Sequence, residues 1–332
     1  MIKVNTFKYK AITKLHRIFI INNKNKNFYY CLYKSYWNYL LNKNSDNSNI
    51  KQYISARPNP GAGIGHQLAN WFAGNKIARY YGLEYCVYPF SDLNNPLKPN
   101  KWNDFLGLNE GLTYTEDLQR SGYRLVLLPL INWDLLEERT ILKNIIDSYS
   151  GEKVIFLLEM DQHAGDELED VEMYRNKFFS SPKNCVNYCY NREHFNVAIH
   201  IRRGDIVQTG KKKDKNLTIR WLDISYYKKI LEKYLKLYSG DKFVDIYLFS
   251  QADSDELKGF EEYGNVIYCN KMSAIQSFWM MANSDFLVMS KSGMSYQAAK
   301  LNINGVIVFP SDFWREPLDS DKWLIENIQN GE

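Results

Sequence analysis

The chain has 332 residues, of which 45% are apolar and 24% charged. That is the composition of an ordinary globular protein with room for two domains. The net charge of +4 is uneven: residues 1–51 hold nine Lys, one Arg and one acid, Asp46, so the remaining 281 residues sum to −5, which argues against a nucleic-acid groove in the body.

In chain order, the first 50 residues form a basic, aromatic extension with Phe19, Phe28, Tyr29, Tyr30, Tyr33, Tyr36, Trp37 and Tyr39 among the lysines. Such interleaving fits a segment lying on an anionic membrane surface, or a basic helix packed on the body. Its longest aliphatic and aromatic run, Ile18-Phe19-Ile20-Ile21, falls far short of the roughly 20 residues that span a bilayer, and of a secretory h-region. No Golgi-type anchor is expected. The polar stretch 42–50 reads as a linker. Five scattered cysteines (Cys31, Cys86, Cys185, Cys189, Cys269) fit free thiols in a reducing cytosol.

The body begins near Lys51 with no strong strand before the turn Pro60-Gly61-Ala62-Gly63-Ile64-Gly65. A helix with an apolar face is predicted from Gln67 to Tyr81, stopped by Gly82. Strands follow at 84–88, 123–128 and 153–158. After residue 195 strands and helices alternate: strand 195–201, a Lys-rich loop at 211–215, helix 222–239, strand 244–250, short helix 254–263, strand 265–269, helix 272–283, strand 285–289, helix 293–301, strand 305–309. This alternation implies βαβ units and a doubly wound parallel sheet.

Three constellations carry chemistry. Gly61, Gly63 and Gly65 open a helix beside His66, which has the titration range of a general base, although a lone histidine is more often structural than catalytic. The segment His200-Ile201-Arg202-Arg203-Gly204-Asp205 leaves the end of a strand, where open α/β sheets bind ligands. Paired guanidinium groups there match a pyrophosphate, or form a surface pair with Asp205 as a local partner. Ser290-Lys291-Ser292-Gly293-Met294-Ser295 stands between a strand and a helix, where hydroxyls cap either the helix or a phosphate.

In this order the motifs resemble those of the α1,2-fucosyltransferases of glycosyltransferase family 11 and of the related α1,6- and protein O-fucosyltransferases. His200 to Asp205 looks like their H-x-R-R-x-D, Gly63 to Ala73 their G-x-G-N-Q loop and helix, and Ser292, Ser295 and Ala298-Ala299 their S-x-x-S-x-x-A-A. The likeness spans about residues 57–314; His66 stands where the family has Asn, and Met294 and Tyr296-Gln297 replace its aromatic run.

The resemblance implies an α/β, GT-B-like fold of two facing Rossmann-like lobes around a cleft: residues 51–190 on the acceptor side and 191–332 on the donor side. It implies inverting transfer of fucose from GDP-fucose to a glycan hydroxyl, α1,2 to a galactose-type residue, with no metal and no cofactor. Gly63, Gly65, Gln67, His200, Arg202, Arg203, Asp205, Ser292 and Ser295 would bind the donor, with Arg202 and Arg203 stabilising the departing GDP. His66 is a candidate base, and Asp161 and His163 are lesser candidates on the acceptor side. A bacterial cytoplasmic enzyme of surface polysaccharide synthesis (O-antigen or capsule) follows, peripheral at the inner membrane face and acting on an oligosaccharide or lipid-linked acceptor.

Three rivals compete: a metal-dependent transferase using Asp253-Ser254-Asp255, although Asp253 and Glu256 also read as a helix capping box; the same clamp with another nucleotide sugar; and a non-catalytic, membrane-peripheral glycan-binding protein.

Overall fold

The computed structural model describes residues 31–43, 49–57, 62–92, 95–99, 101–159, 171–182, 186, 189–206, 219–236, 238, 240–253, 255–312 and 321–327. The chain divides into two compact units that interleave in sequence: residues 1–60, 69–89 and 111–165 make the first, and residues 61–68, 90–110 and 166–332 the second. Both are α/β, and each holds a parallel sheet.

The first unit contains α1 (Lys34–Leu40), β1 (Tyr53–Arg57), most of α2 (Ile64–Tyr80) and β2 (Glu84–Tyr85). Between β2 and the rest of this unit, the chain lends to the second unit the antiparallel pair β3 (Ser91–Asp92) and β4 (Asn95–Pro99), with α3 (Trp102–Leu106). It then returns as α4 (Thr115–Arg120), β5 (Arg124–Leu127), α5 (Leu136–Asp147) and β6 (Val154–Glu159). The sheet order is β2-β1-β6-β5, and every pairing is parallel. Five of the six β6 residues are buried, the continuous apolar run of a strand covered on both faces.

β1 is a strand that the sequence reading missed. Ser55 interrupts its apolar run, but the hydroxyl is satisfied inside the sheet, donating to Cys86 O at 2.7 Å. Helix α2 begins at Ile64, three residues earlier than expected, so Gly65 and His66 lie in its first turn. Its end is as expected: Gly82 takes φ +67°, with Gly82 N donating to Arg79 O and Leu83 N to Ala78 O, a Schellman closure. Along α2, a Cβ at Gly74 would lie 2.7 Å from Ala56 Cβ and from the Tyr85 ring, so this glycine sets how closely the helix approaches the sheet.

Residues 31–43 are docked on the first unit. Tyr33 is buried and its hydroxyl donates to Leu127 O at 2.8 Å; Lys34 pairs with Glu152.

The second unit continues with α6 (Val171–Ser180), β7 (Phe195–Ile201), a 3-10 turn (Gly204–Ile206), α7 (Ile224–Leu235), β8 (Val244–Ser250), β9 (Asn265–Tyr268), α8 (Ala274–Ala282), β10 (Phe286–Val288), α9 (Gly293–Leu301), β11 (Val306–Pro310) and β12 (Trp323–Glu326). The six strands lie in the order β12-β11-β10-β7-β8-β9, all parallel. In chain sequence that is the 3-2-1-4-5-6 order of dinucleotide-binding sheets. The core under β7 and β8 is built from Val197, Ile199, Ile201, Ile246, Leu248, Tyr227, Leu231 and Phe260, all essentially inaccessible.

Strands β7 and β8 and helix α9 have the predicted bounds. Two expectations fail. The short helix at 254–263 is absent among the described residues: 255–257 and 261–263 are turns, Gly259 takes φ +85°, and the Glu256 carboxylate is engaged by Arg203 instead of capping a helix. The series also does not close at residue 309, because β12 pairs with β11 and extends the sheet.

Candidate functional site

The six-stranded sheet changes direction between β7 and β10. From β7 the chain builds outward through β8 and β9, then returns to lay β10 on the other side of β7, with Val197 beside Phe286 and Ile199 beside Val288. The carboxyl ends of these two neighbours carry two of the three constellations: Arg202-Arg203 follows β7, and Ser290-Lys291-Ser292 follows β10. A crevice at such a switch point is the ligand site of open α/β sheets.

The two arginines behave differently. Arg203 turns inward and is 2% exposed. Its Nε donates to the Glu256 carboxylate, its Nη1 to Arg202 O at 2.8 Å and Leu222 O at 3.2 Å, and its guanidinium lies 3.7 Å from the Trp221 ring centroid. A buried cation held by a carboxylate, two carbonyls and an aromatic face braces the loop. Arg202 remains half-buried at the surface of the strand end. Gly204 has φ +75°, and a Cβ there would run into the Gln251 side chain, so the turn after the pair requires glycine. Asp205 lies in that 3-10 turn.

Between the two strand ends, His200 Nδ1 and Ser290 Oγ are 3.1 Å apart. Burial, reinforced by the positive charge of Arg202, pushes the His200 pKa down to about 3. The imidazole is therefore neutral near pH 7 and does not add charge to the Arg202 region.

The serines divide in the same way as the arginines. Ser292 is the N-cap of α9, but its side chain makes no capping hydrogen bond. Ser295 is fully buried and its hydroxyl donates to Ser292 O at 3.2 Å and Ser290 O at 3.4 Å, so the helix start itself uses it. Lys291, quoted in the motif but given no role by the sequence reading, is a half-buried cation here; burial holds its amine below the usual value, opposed by the charge of Asp312.

The glycine loop meets the serine segment. A Cβ at Gly65 would lie 2.7 Å from Gly293 Cα and from Met294 N, so the first turn of α2 touches the start of α9 backbone to backbone. Gly63 is exposed, and a Cβ there would meet nothing within 4 Å. Gln67 is buried and ties its own loop through Nε2 to Ala62 O at 2.9 Å. His66 is half-buried, with its backbone N–H donating to Gly63 O at 3.0 Å.

All three constellations thus gather in one unit around the start of α9. Asp161 and His163 lie outside the described residues, as do the Lys-rich loop at 211–215 and Cys185. Glu256 and Trp221 were not singled out as partners of Arg203. Only their distance from it in sequence concealed them, since a buried arginine always needs such partners. Among the described residues no three His, Cys, Asp or Glu side chains cluster as metal ligands, and no helix is long and apolar enough to cross a membrane.

The sequence profile of Glycosyl transferase family 11 matches residues 148–322, more than half of the chain. No curated protein sequence matches. Among solved structures, the chain is similar to the fucosyltransferase NodZ from Bradyrhizobium, at 12% identity and a TM-score of 0.42 over 77% of this chain and 94% of that one. It is also similar to POFUT1 in complex with GDP-fucose, at 9% identity and a TM-score of 0.46 over 85% and 99% of the two chains.

Proposed function

Since the chain belongs to glycosyltransferase family 11, the fucosyltransferase family its motifs resemble, we propose that this glycosyltransferase moves fucose from GDP-fucose to a hydroxyl of a glycan acceptor, with inversion and without a metal ion. The observation that carries this reading is the adjacency of the Arg202 strand end and the Ser292 helix start at the sheet's switch point.

The departing GDP gains negative charge as the glycosidic bond breaks, and fixed donors must stabilise it. Arg202 and Lys291 supply cations at the two strand ends, and the start of α9 supplies backbone N–H groups, with Ser292 as a further hydroxyl. Arg203 and Ser295 brace these groups from behind. Gly63, exposed and without a side chain, leaves the loop open to the donor, Gly65 seats the loop against the start of α9, and Gln67 holds it. His200 stays neutral under the donor, hydrogen-bonded to Ser290. His66, in the turn that touches α9, is the candidate to take the acceptor proton. The acceptor is a galactose-type residue of a bacterial surface polysaccharide, O-antigen or capsule, joined α1,2.

The test is donor hydrolysis by the purified protein, in EDTA and without acceptor, comparing GDP-fucose, GDP-mannose, UDP-galactose and UDP-N-acetylglucosamine. Turnover of GDP-fucose alone, lost in Arg202→Ala, is expected. Preference for another donor overturns the fucose assignment, and inhibition by EDTA overturns metal independence.

The reading also places the enzyme at the cytoplasmic face of a membrane. In its support, the docked helix α1 turns Trp37 (51% exposed), Tyr39 (84%) and Leu40 to solvent within a strongly basic segment, the pattern of an interfacial helix.

A further inference from the structure

The second unit holds a cavity at the end of its sheet opposite the candidate donor site. Its volume is about 340 Å³, within the roughly 300–1,000 Å³ of small-ligand sites. Arg202 and Ser290 follow the carboxyl ends of β7 and β10, whereas the cavity is lined by Asn196, the second residue of β7, and by Asp285, just before β10. At the rise of a strand, the run from Asn196 to Arg202 separates the two places by about 20 Å. Trp279 and Asn283, at the end of α8, and Cys189 and Arg192, on the segment leading into β7, form further walls.

The polar groups of this cavity are not used up by the fold. Asn196 is 3% exposed. Its Nδ2 donates to Asn191 O, His194 O and Asp285 Oδ2 at 2.9, 3.0 and 3.2 Å, which fixes the amide, and its Oδ1 is left without a partner among the described residues. A buried amide oxygen needs a donor, and a group seated in the cavity can supply one. Asp285 takes its hydrogen bonds from Asn196 on Oδ2, at 2.8 Å from the backbone N–H, so Oδ1 is open. The Arg192 guanidinium is exposed and makes no ion pair among the described residues. Trp279 is held in the wall by Phe178 and Phe179 of α6, at centroid distances of 5.8 and 5.9 Å.

We infer that this cavity binds one neutral sugar unit of a glycan chain, at a site separate from the transfer reaction. The inference rests on the proposed function for the glycan as the source of the sugar; the chemistry of the cavity stands without it. A guanidinium offers only donors, and a carboxylate and an amide oxygen only acceptors, so together they match sugar hydroxyls, each of which gives and takes hydrogen bonds. An indole presents an apolar face to the C–H side of a pyranose and an N–H at its edge. A phosphate would meet the Asp285 carboxylate and the partial negative charge at the carboxyl end of α8. An organic cation would meet Arg192. An uncharged polyol meets neither repulsion. A second grip on a long glycan raises its effective concentration at the enzyme.

The experiment is alkylation of the full chain by iodoacetamide, followed peptide by peptide in a mass spectrometer, with lactose, L-fucose or N-acetylglucosamine added singly. Cys189 is an exposed free thiol in the cavity wall and reports occupancy there; Cys31, in the first unit, is the control. At least one sugar is expected to slow alkylation of Cys189 several-fold and to leave Cys31 unchanged. Arg192→Ala should raise the sugar concentration for half-protection by roughly tenfold, the loss expected for a hydrogen bond to a charged group. Trp279→Ala should abolish protection, and Arg192→Ala, at an exposed position, decides the matter if the tryptophan variant does not fold. No protection by any of the three sugars, equal protection in wild type and variants, or protection by inorganic phosphate or choline overturns the proposal. Arg192→Ala should hydrolyse GDP-fucose as wild type does, and a loss there would overturn the separation from the transfer reaction. Failure of wild type to hydrolyse GDP-fucose overturns the donor reading alone, because protection of Cys189 needs no donor.

Discussion

Gly65 and Gly293 meet backbone to backbone: a side-chain carbon on Gly65 would stand 2.7 Å from Gly293 Cα. The glycine loop and the serine segment therefore touch only because Gly65 has no Cβ. Gly65→Ala should force the first turn of α2 off the start of α9, an overpacking cost of about 1–3 kcal/mol. A lowered melting temperature with weakened GDP binding is the expected outcome. Unchanged stability and affinity would mean that this approach is not needed.

The arginine pair should split by function. Arg203 is buried against Glu256, Leu222 O and Trp221, so Glu256→Ala leaves an uncompensated buried cation and should cost about 3 kcal/mol. Arg202 is only half-buried at the strand end, so Arg202→Ala should cost less stability than Glu256→Ala while abolishing donor turnover. Denaturant melts alongside GDP-fucose hydrolysis separate the two. Equal destabilisation by both changes would refute the division.

Acid should unfold the protein in part through His200. Its folded pKa of about 3 lies below the ordinary histidine value near 6.5, so between those limits the unfolded chain binds the extra proton. This contribution is complete above about pH 6.5 and is lost as the pH falls toward 3, with a slope of at most about 1.4 kcal/mol per pH unit. His200→Gln should flatten the stability profile across that window and leave it unchanged above. An identical profile in the variant would show that the imidazole titrates normally.

Helix α1 should bind membranes through its exposed face. Trp37→Ala with Tyr39→Ala should reduce sedimentation with anionic vesicles at low salt and lower the melting temperature only by the loss of the Trp37 indole hydrogen bond to Cys31 O, since Tyr39 is solvent-facing. By contrast, Tyr33→Phe removes the hydroxyl that bonds Leu127 O and should destabilise by about 1 kcal/mol without altering vesicle binding. A double variant that sediments like wild type would remove α1 from the membrane reading.

What the sequence determined by itself is local. β7 and β8 were legible to the residue because mainly apolar runs, broken by Asn196 and His200 in one and Asp245 in the other, end at charged or polar turns. α9 was legible because Ser292 and Gly293 break the preceding strand, and Gly82 marked the end of α2 because only a left-handed residue closes that helix cheaply. The order of the three motifs was also in the sequence, and so was the family. Tertiary structure decided which members of each motif turn into the interior. Arg202 and Arg203 are adjacent and chemically identical, yet Glu256, Trp221 and the Leu222 carbonyl draw one of them into the interior. Ser292 and Ser295 differ because one helical turn carries the second hydroxyl back onto the loop carbonyls. β1 escaped notice because its serine is satisfied only by the neighbouring Cys86 carbonyl. For the same reason the cavity beside Asn196 and Asp285 was invisible: the two residues are far apart in the chain and become neighbours only when β7 and β10 pair in register. Periodicity fixes elements because it is a property of neighbouring residues, whereas burial and partnership depend on which distant residues the sheet order brings together.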